Sequence, residues 1–300
     1  MPSILKIEYL DMRGSVRSDL SDIFLPISQL LSRKISHFTF VQPFEIRELR
    51  RIDFKNSILV DGFPSVGLVS SIIANYLTTL LRLEYVGYID SPFFPALTLI
   101  RNSLPMAPAR LYASGDAMPG DKQIALFTSE LQPSQNIVKP LGEMLINWAI
   151  QNKCKLILSV GGLVIEREVD NNNINAEDAD QISVYGIASN SKAAKYLELT
   201  DVEPFIEGII TGTSGILLRE GKKRGFDVVV LLTEARQEIA DARAAALLMA
   251  AIDQMVLKMN LDIVPLCKEA EKMEVRISKL SHQAVLKAKD ETPQPIIGYR

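Results

Sequence analysis

The chain has 300 residues, 47% of them hydrophobic, which is enough for one large α/β domain or two small ones with a buried core. Its 33 basic and 36 acidic side chains leave a net charge of −3, without the basic excess that nucleic-acid binding draws on. Cys154 and Cys267 are the only cysteines, which excludes a disulfide framework or a thiolate metal cage within one chain.

Residues 1–45 have mixed polarity and weak periodicity, with one apolar helix candidate near 23–35, and are read as an N-terminal extension. The N-terminus lacks the long apolar core of a signal peptide, and no stretch approaches the run of about twenty apolar residues that a spanning helix needs. The expectation is a cytoplasmic protein, with neither nucleic acid nor membrane as a partner.

Residues 46–262 carry the pattern of an α/β domain. "ILV" at 58–60 reads as a buried strand, "DGFPSVG" as a tight turn and "LVSSIIANYLTTLLRL" as an apolar helix, together a βα unit. Further buried strands are predicted at 86–89, 96–100, 110–113, 124–128, 156–160, 182–188, 208–210 and 228–233, and helices at 134–151, 191–199, 214–224 and 241–259. Apolar strands separated by helices indicate a sheet covered on both faces. Residues 86–130 have no strong helical pattern between their strands, so hairpins and a mixed sheet are expected there. The polar stretch 166–181, "EREVDNNNINAEDADQ", reads as a surface loop.

After Pro265 the pattern changes. Leu266, Ala270, Met273, Ile277, Leu280 and Ala284 recur at alternating spacings of four and three, the seam of about three heptads, which defines a helix over 263–289. The seam fits either a partner helix in an oligomer or the chain's own domain. Residues 290–300 read as a flexible tail ending "PQPIIGYR", where two prolines precede two isoleucines and a tyrosine.

The glycine turns are the candidate ligand site. Gly62 and Gly67 have the separation of a phosphate loop, but Leu68 and Val69 follow where such a loop needs a lysine and a hydroxyl, and Pro64 removes a donor. Gly162 lies in a second turn, "SVGGLV". Gly212, Thr213 and Ser214 lie in a third, "TGTSG", at the start of a predicted helix with free amides. These six residues are the possible anion-binding set, and the alternative for each is close packing or a plain helix cap. Ser214 lacks the flanks of a nucleophile elbow, and neither His37 nor His282 has a catalytic context. Asp241 reads as a helix N-cap, and "KKRG" at 222–225 as a helix end with a glycine cap. No metal site, cofactor or catalytic set is predicted.

Seven stretches in order carry a family resemblance: "ILVDGFPSVGLVSSIIANYL", "VGYIDSPFFPAL", "LILSVGGLV", "VYGIASN", "EGIITGTSGILL", "DVVVLLTEA" and "DARAAALLMAAI", spanning about 55–260. They resemble the archaeal form of the proteasome assembly chaperone family, second-chaperone type. The resemblance implies a three-layer α/β fold with a phosphorylase/hydrolase-like mixed sheet, self-association, a role in assembling the 20S proteasome through its α-subunit ring, and no established catalysis. General symmetry rules favour a dimer or tetramer.

The resemblance also gives the tail a role, since proteins that dock on the α ring often end in a hydrophobe, a tyrosine and any residue. Ile297, Gly298, Tyr299 and Arg300 are then the proteasome-binding residues, although Gly298 stands where a bulky hydrophobe is expected and Ile297 lies one place early. The expected function is a non-enzymatic assembly chaperone or activator-like protein of the proteasome. The alternative is an α/β enzyme or ligand-binding protein that takes a nucleotide or phosphate anion at the glycine turns.

Overall fold

The computed structural model of the protein describes residues 44–262, apart from 102, 116–122, 165–182 and 238. Eleven strands occur among them: β1 (Glu45–Glu48), β2 (Ile58–Gly62), β3 (Glu84–Asp90), β4 (Leu99–Arg101), β5 (Leu104–Met106), β6 (Ala109–Ala113), β7 (Ile124–Ser129), β8 (Leu156–Leu163), β9 (Val184–Ala188), β10 (Glu203–Pro204) and β11 (Val228–Glu234). Five α-helices accompany them: α1 (Val69–Leu80), α2 (Gln135–Gln151), α3 (Ser191–Leu197), α4 (Gly212–Arg224) and α5 (Ala242–Ile252). None of the described helices is long and apolar enough to cross a membrane.

Nine strands form one mixed sheet in the order β1-β3-β6-β7-β2-β8-β11-β9-β10, while β4 and β5 form a separate hairpin. Strands β7, β2, β8 and β11 run parallel. On one side β6, β3 and β1 continue antiparallel; on the other β9 is antiparallel to β11 and β10 parallel to β9.

Alternation along the central strands sorts their side chains between the two faces. Ile58, Val60, Leu156, Leu158, Val229 and Leu231 share one core cluster with Ile72, Ile73 and Leu77 of α1 and Leu248 and Met249 of α5. Leu59, Ile157, Val228 and Val230 share the other with Leu141 and Leu145 of α2 and Leu217 of α4. Burying one such aliphatic side chain is worth about 1.5–3 kcal/mol, so strands apolar on both faces hold both sets of helices in place.

Local capping agrees with the sequence reading. The Asp241 side chain accepts the Ala244 amide at 3.1 Å and opens α5, and Gly225, at φ 66°, closes α4. Helix α5 runs only to Ile252, where a π-helical turn (Asp253–Leu257) replaces the predicted continuation to residue 259.

Two strands predicted as buried are not. In the stretch 96–100 only residues 99 and 100 are in a strand, and that strand lies in the detached hairpin with Ile100 66% and Leu104 65% exposed. Residues 208–210 form no strand, and Ile209 is 86% exposed. There, Gly208 at φ 154° and Gly212 at φ 73° bracket a path that the sheet ladder does not take up, and β9 pairs instead with β10. Strand β1 was not predicted either. It is a mostly exposed edge strand, so it has no apolar run to betray it.

Candidate functional site

The parallel register sets Asp61 of β2 beside Ser159 of β8. Asp61 has the same parity as Leu59, so its side chain turns toward the face covered by α2 and α4. It is only 3% exposed. Its Oδ2 accepts from Ser159 Oγ at 2.7 Å and from Thr213 Oγ1, near the start of α4, at 2.6 Å. Its Oδ1 accepts from the Phe63 amide at 3.2 Å. The Ser214 and Ser159 hydroxyl oxygens stand 2.8 Å apart, so Asp61, Ser159 and Ser214 form one chain of hydrogen bonds, and Thr213 joins it at Asp61. Burial pushes the Asp61 carboxyl above its ordinary range, while the hydrogen bonds from Thr213, Ser159 and Phe63 act in the other direction.

Above this network lies a cavity of about 320 Å³. Its walls come from the turn after β2, the start of α2, the end of β8 and the segment that leads into α4. The chain leaving β2 enters α1 on one face of the sheet, and the chain leaving the neighbouring β7 enters α2 on the other. The cavity therefore sits at a topological switch point beyond the carboxyl ends of parallel strands, where open α/β sheets place their ligands. No lysine, arginine, histidine or carboxylate is among the described residues that line it.

Gly162, Gly212, Thr213 and Ser214 all line this cavity. Gly162 also lets β8 approach the turn after β2, because a Cβ there would stand 2.5 Å from the Val66 carbonyl oxygen. Gly62 and Gly67 are placed differently, packed among neighbours and not on the cavity wall. At Gly62 a Cβ would meet Ala74 at 2.7 Å, so the glycine lets α1 lie close on the sheet. Gly67 has φ 62° and faces the Arg236 carbonyl, which a Cβ would approach to 2.9 Å.

The Gly67 carbonyl accepts the Asp241 amide at 2.8 Å, and Asp241 Oδ2 accepts from both the amide and Nε of Arg236. This lock ties the turn after β2 to the start of α5. Burial alone would raise the Asp241 carboxyl, but the Arg236 and Ala244 amides and the Arg236 guanidinium outweigh it and hold it below the usual range.

Asp61 and Ser159 did not figure among the residues singled out by sequence. The signal for Asp61 was present, since it is the only ionisable residue in a strand whose five positions are all buried. The tail residues Ile297, Gly298, Tyr299 and Arg300, and the seam residues Leu266, Met273, Ile277 and Leu280, lie outside the described residues. Among the described residues no three histidine, cysteine or carboxylate side chains gather as a metal site would require.

Comparison with known proteins places this geometry in a family. Residues 59–281 match the model of the PAC2 family. The uncharacterized protein MJ0106 of Methanocaldococcus jannaschii is 30% identical over 243 residues, covering 81% of this chain and 93% of that protein. The crystal structure of Pyrococcus furiosus PbaA, described as an archaeal homolog of proteasome-assembly chaperone, matches with a TM-score of 0.66 at 29% identity, over 82% of this chain and 100% of that one. Pyrococcus furiosus PbaB, described as an archaeal proteasome activator, has the same fold, with a TM-score of 0.64 at 22% identity over 80% of this chain and 99% of PbaB. With the family model matched over well more than half its length, the chain belongs to the PAC2 family.

Proposed function

We infer that this protein is an assembly chaperone or activator-like protein of the 20S proteasome, acting by binding and not by catalysis. The observation that carries the reading is the likeness to PbaA, which extends over the whole of that chain at 29% identity. On this reading the α/β arrangement is the three-layer phosphorylase/hydrolase-like one, residues 46–262 are its domain, and the protein works in the cytoplasm as a homo-oligomer. The seam of Leu266, Met273, Ile277 and Leu280 joins copies, and residues 290–300 extend from the assembly.

The tail is the docking element. Its prolines, Pro293 and Pro295, favour an extended backbone and lower the entropy lost on binding. The terminal carboxylate of Arg300 pairs with a cation between neighbouring α subunits, while the Tyr299 ring fills an apolar slot with Ile297 close behind through Gly298. One tail binds weakly. Several on one oligomer raise each other's effective concentration to roughly the millimolar range, and flexible tails tolerate a mismatch between the symmetry of the oligomer and that of the ring.

Native mass spectrometry of the protein mixed with a cognate proteasome α ring tests this directly. A complex formed by the full chain and lost on removal of residues 298–300 is the expected result. Absence of a complex with either chain overturns the α-ring reading, and a complex with both overturns the role of the tail.

A further inference from the structure

Strand β1 ends the sheet, and among the described residues it has a neighbour on one side only. It pairs antiparallel with β3, Ile46 opposite Ile89 and Glu48 opposite Gly87, and just beyond it the Leu49 amide donates to the Val86 carbonyl at 2.7 Å. Hydrogen bonds in such a ladder fall on alternate residues. Glu45, Arg47 and Leu49 therefore turn their backbone groups to β3, while Ile46 and Glu48 turn theirs outward, a template for one more strand.

The side chains of β1 alternate as well. Phe44 belongs to the core cluster that includes Leu141 and Leu145 of α2, Ile46 packs against that cluster, and Glu48 Oε1 accepts from Trp148 Nε1 of the same helix. Glu45 and Arg47 stand exposed on the other face, where Arg47 Nη2 donates to Glu45 Oε2 at 3.0 Å. A second copy added antiparallel to this edge is related to the first by a two-fold axis normal to the sheet, and the axis runs through a residue that faces its own counterpart. Strand β1 offers four such centres. Glu45, Arg47 and Glu48 would each set a like charge directly opposite itself, which is unfavourable. Ile46 sets an apolar side chain opposite itself, and its neighbours then match, because Glu45 of each copy faces Arg47 of the other.

We propose that two copies of this chain pair through β1, centred on Ile46, and so join their sheets into one continuous sheet across a two-fold axis. The outward amide and carbonyl of Ile46 exchange hydrogen bonds with those of its counterpart, and the outward groups of Glu48 exchange with those of Phe44. On the exposed face two carboxylates and two guanidiniums close a ring of alternating charge. Charged side chains guard an edge strand against unselected partners, and here the same charges select one register. The contact uses neither the seam at 266–280 nor the tail, so its failure and the failure of α-ring docking are separate results.

Native mass spectrometry of the full chain and of two charge variants tests the pairing. At chain concentrations on the order of 100 μM the unaltered protein should hold an even number of subunits. Glu45→Arg leaves only cations at the four facing positions and Arg47→Glu only anions, so each should weaken the pairing about ten- to a hundred-fold and halve the subunit number. Mixed in equal amounts, the two variants should recover the original number in assemblies that contain both, since each supplies the charge the other lacks. The double variant Glu45→Arg/Arg47→Glu, which exchanges the charges and keeps the match, should recover it alone. Recovery by either route supports the pairing, because an interface elsewhere has no reason to respond to the exchange. An odd number of subunits in the unaltered protein, a monomer included, overturns the proposal. So does either single variant that keeps the original number, and so does failure of both recoveries.

Discussion

Replacing Asp61 with Asn exposes the electrostatics of the buried network. In the unfolded chain the Asp61 carboxyl titrates near the ordinary value of about 3.9, and in the folded protein burial raises it. Between those two points the native state holds a proton that the unfolded state has released. The stability contributed by Asp61 is therefore complete below the unfolded value and is lost as pH rises through the folded one.

The steepest loss for a single group is about 1.4 kcal/mol per pH unit. Asn cannot titrate, yet it keeps the shape. Its oxygen stays at the Oδ1 position to accept from the Phe63 amide, and its amide nitrogen takes the place of Oδ2 and donates to the Ser159 and Thr213 hydroxyls after both rotate. Relative to the unaltered protein, Asp61→Asn should thus gain stability as pH rises from about 4, by at most about 1.4 kcal/mol per unit, and level off above the folded pKa. Urea denaturation of both proteins across this range measures the difference, in which the titrations of all other groups cancel. A difference that is flat with pH, or that grows toward acid, refutes the claim that burial dominates at Asp61.

Asp241 should behave in the opposite sense. Asp241→Ala removes the α5 cap and the partner of Arg236, a loss of about 1–2 kcal/mol at pH 7. Because its folded pKa is depressed, that loss should shrink as pH falls through the carboxylate range, as parallel urea titrations would show. Gly67→Ala should cost about 2–4 kcal/mol, combining the left-handed backbone at φ 62° with the close approach to the Arg236 carbonyl, and calorimetry would register it as a lower Tm. A variant as stable as the parent would show that the turn after β2 relaxes freely.

Much of the fold was legible because burial leaves a local imprint. Residues 58–60, 124–127, 156–158 and 228–232 are apolar at consecutive positions, and each falls within a strand with helices against both faces. Asp241 and Gly225 announced helix ends through groups that act within one turn. The errors at 96–100 and 208–210 share one cause: an apolar run reports that side chains can be buried, and here Leu97, Ile100 and Ile209 are exposed on a hairpin and loops instead.

By itself, then, the sequence located most of the central strands and the helices, and it carried the family resemblance, since both rest on residues close together in the chain. The candidate site was decided by tertiary structure. Asp61 meets Ser159 and Thr213 across sequence separations of 98 and 152 residues, and nothing local to β2 says which strand lies beside it or which helix covers it. That choice was made by the register of β2 on β8 and by the crossing of chains to opposite faces at the switch point. Strand register is a property of pairs of segments, so a strand read alone does not reveal its neighbours.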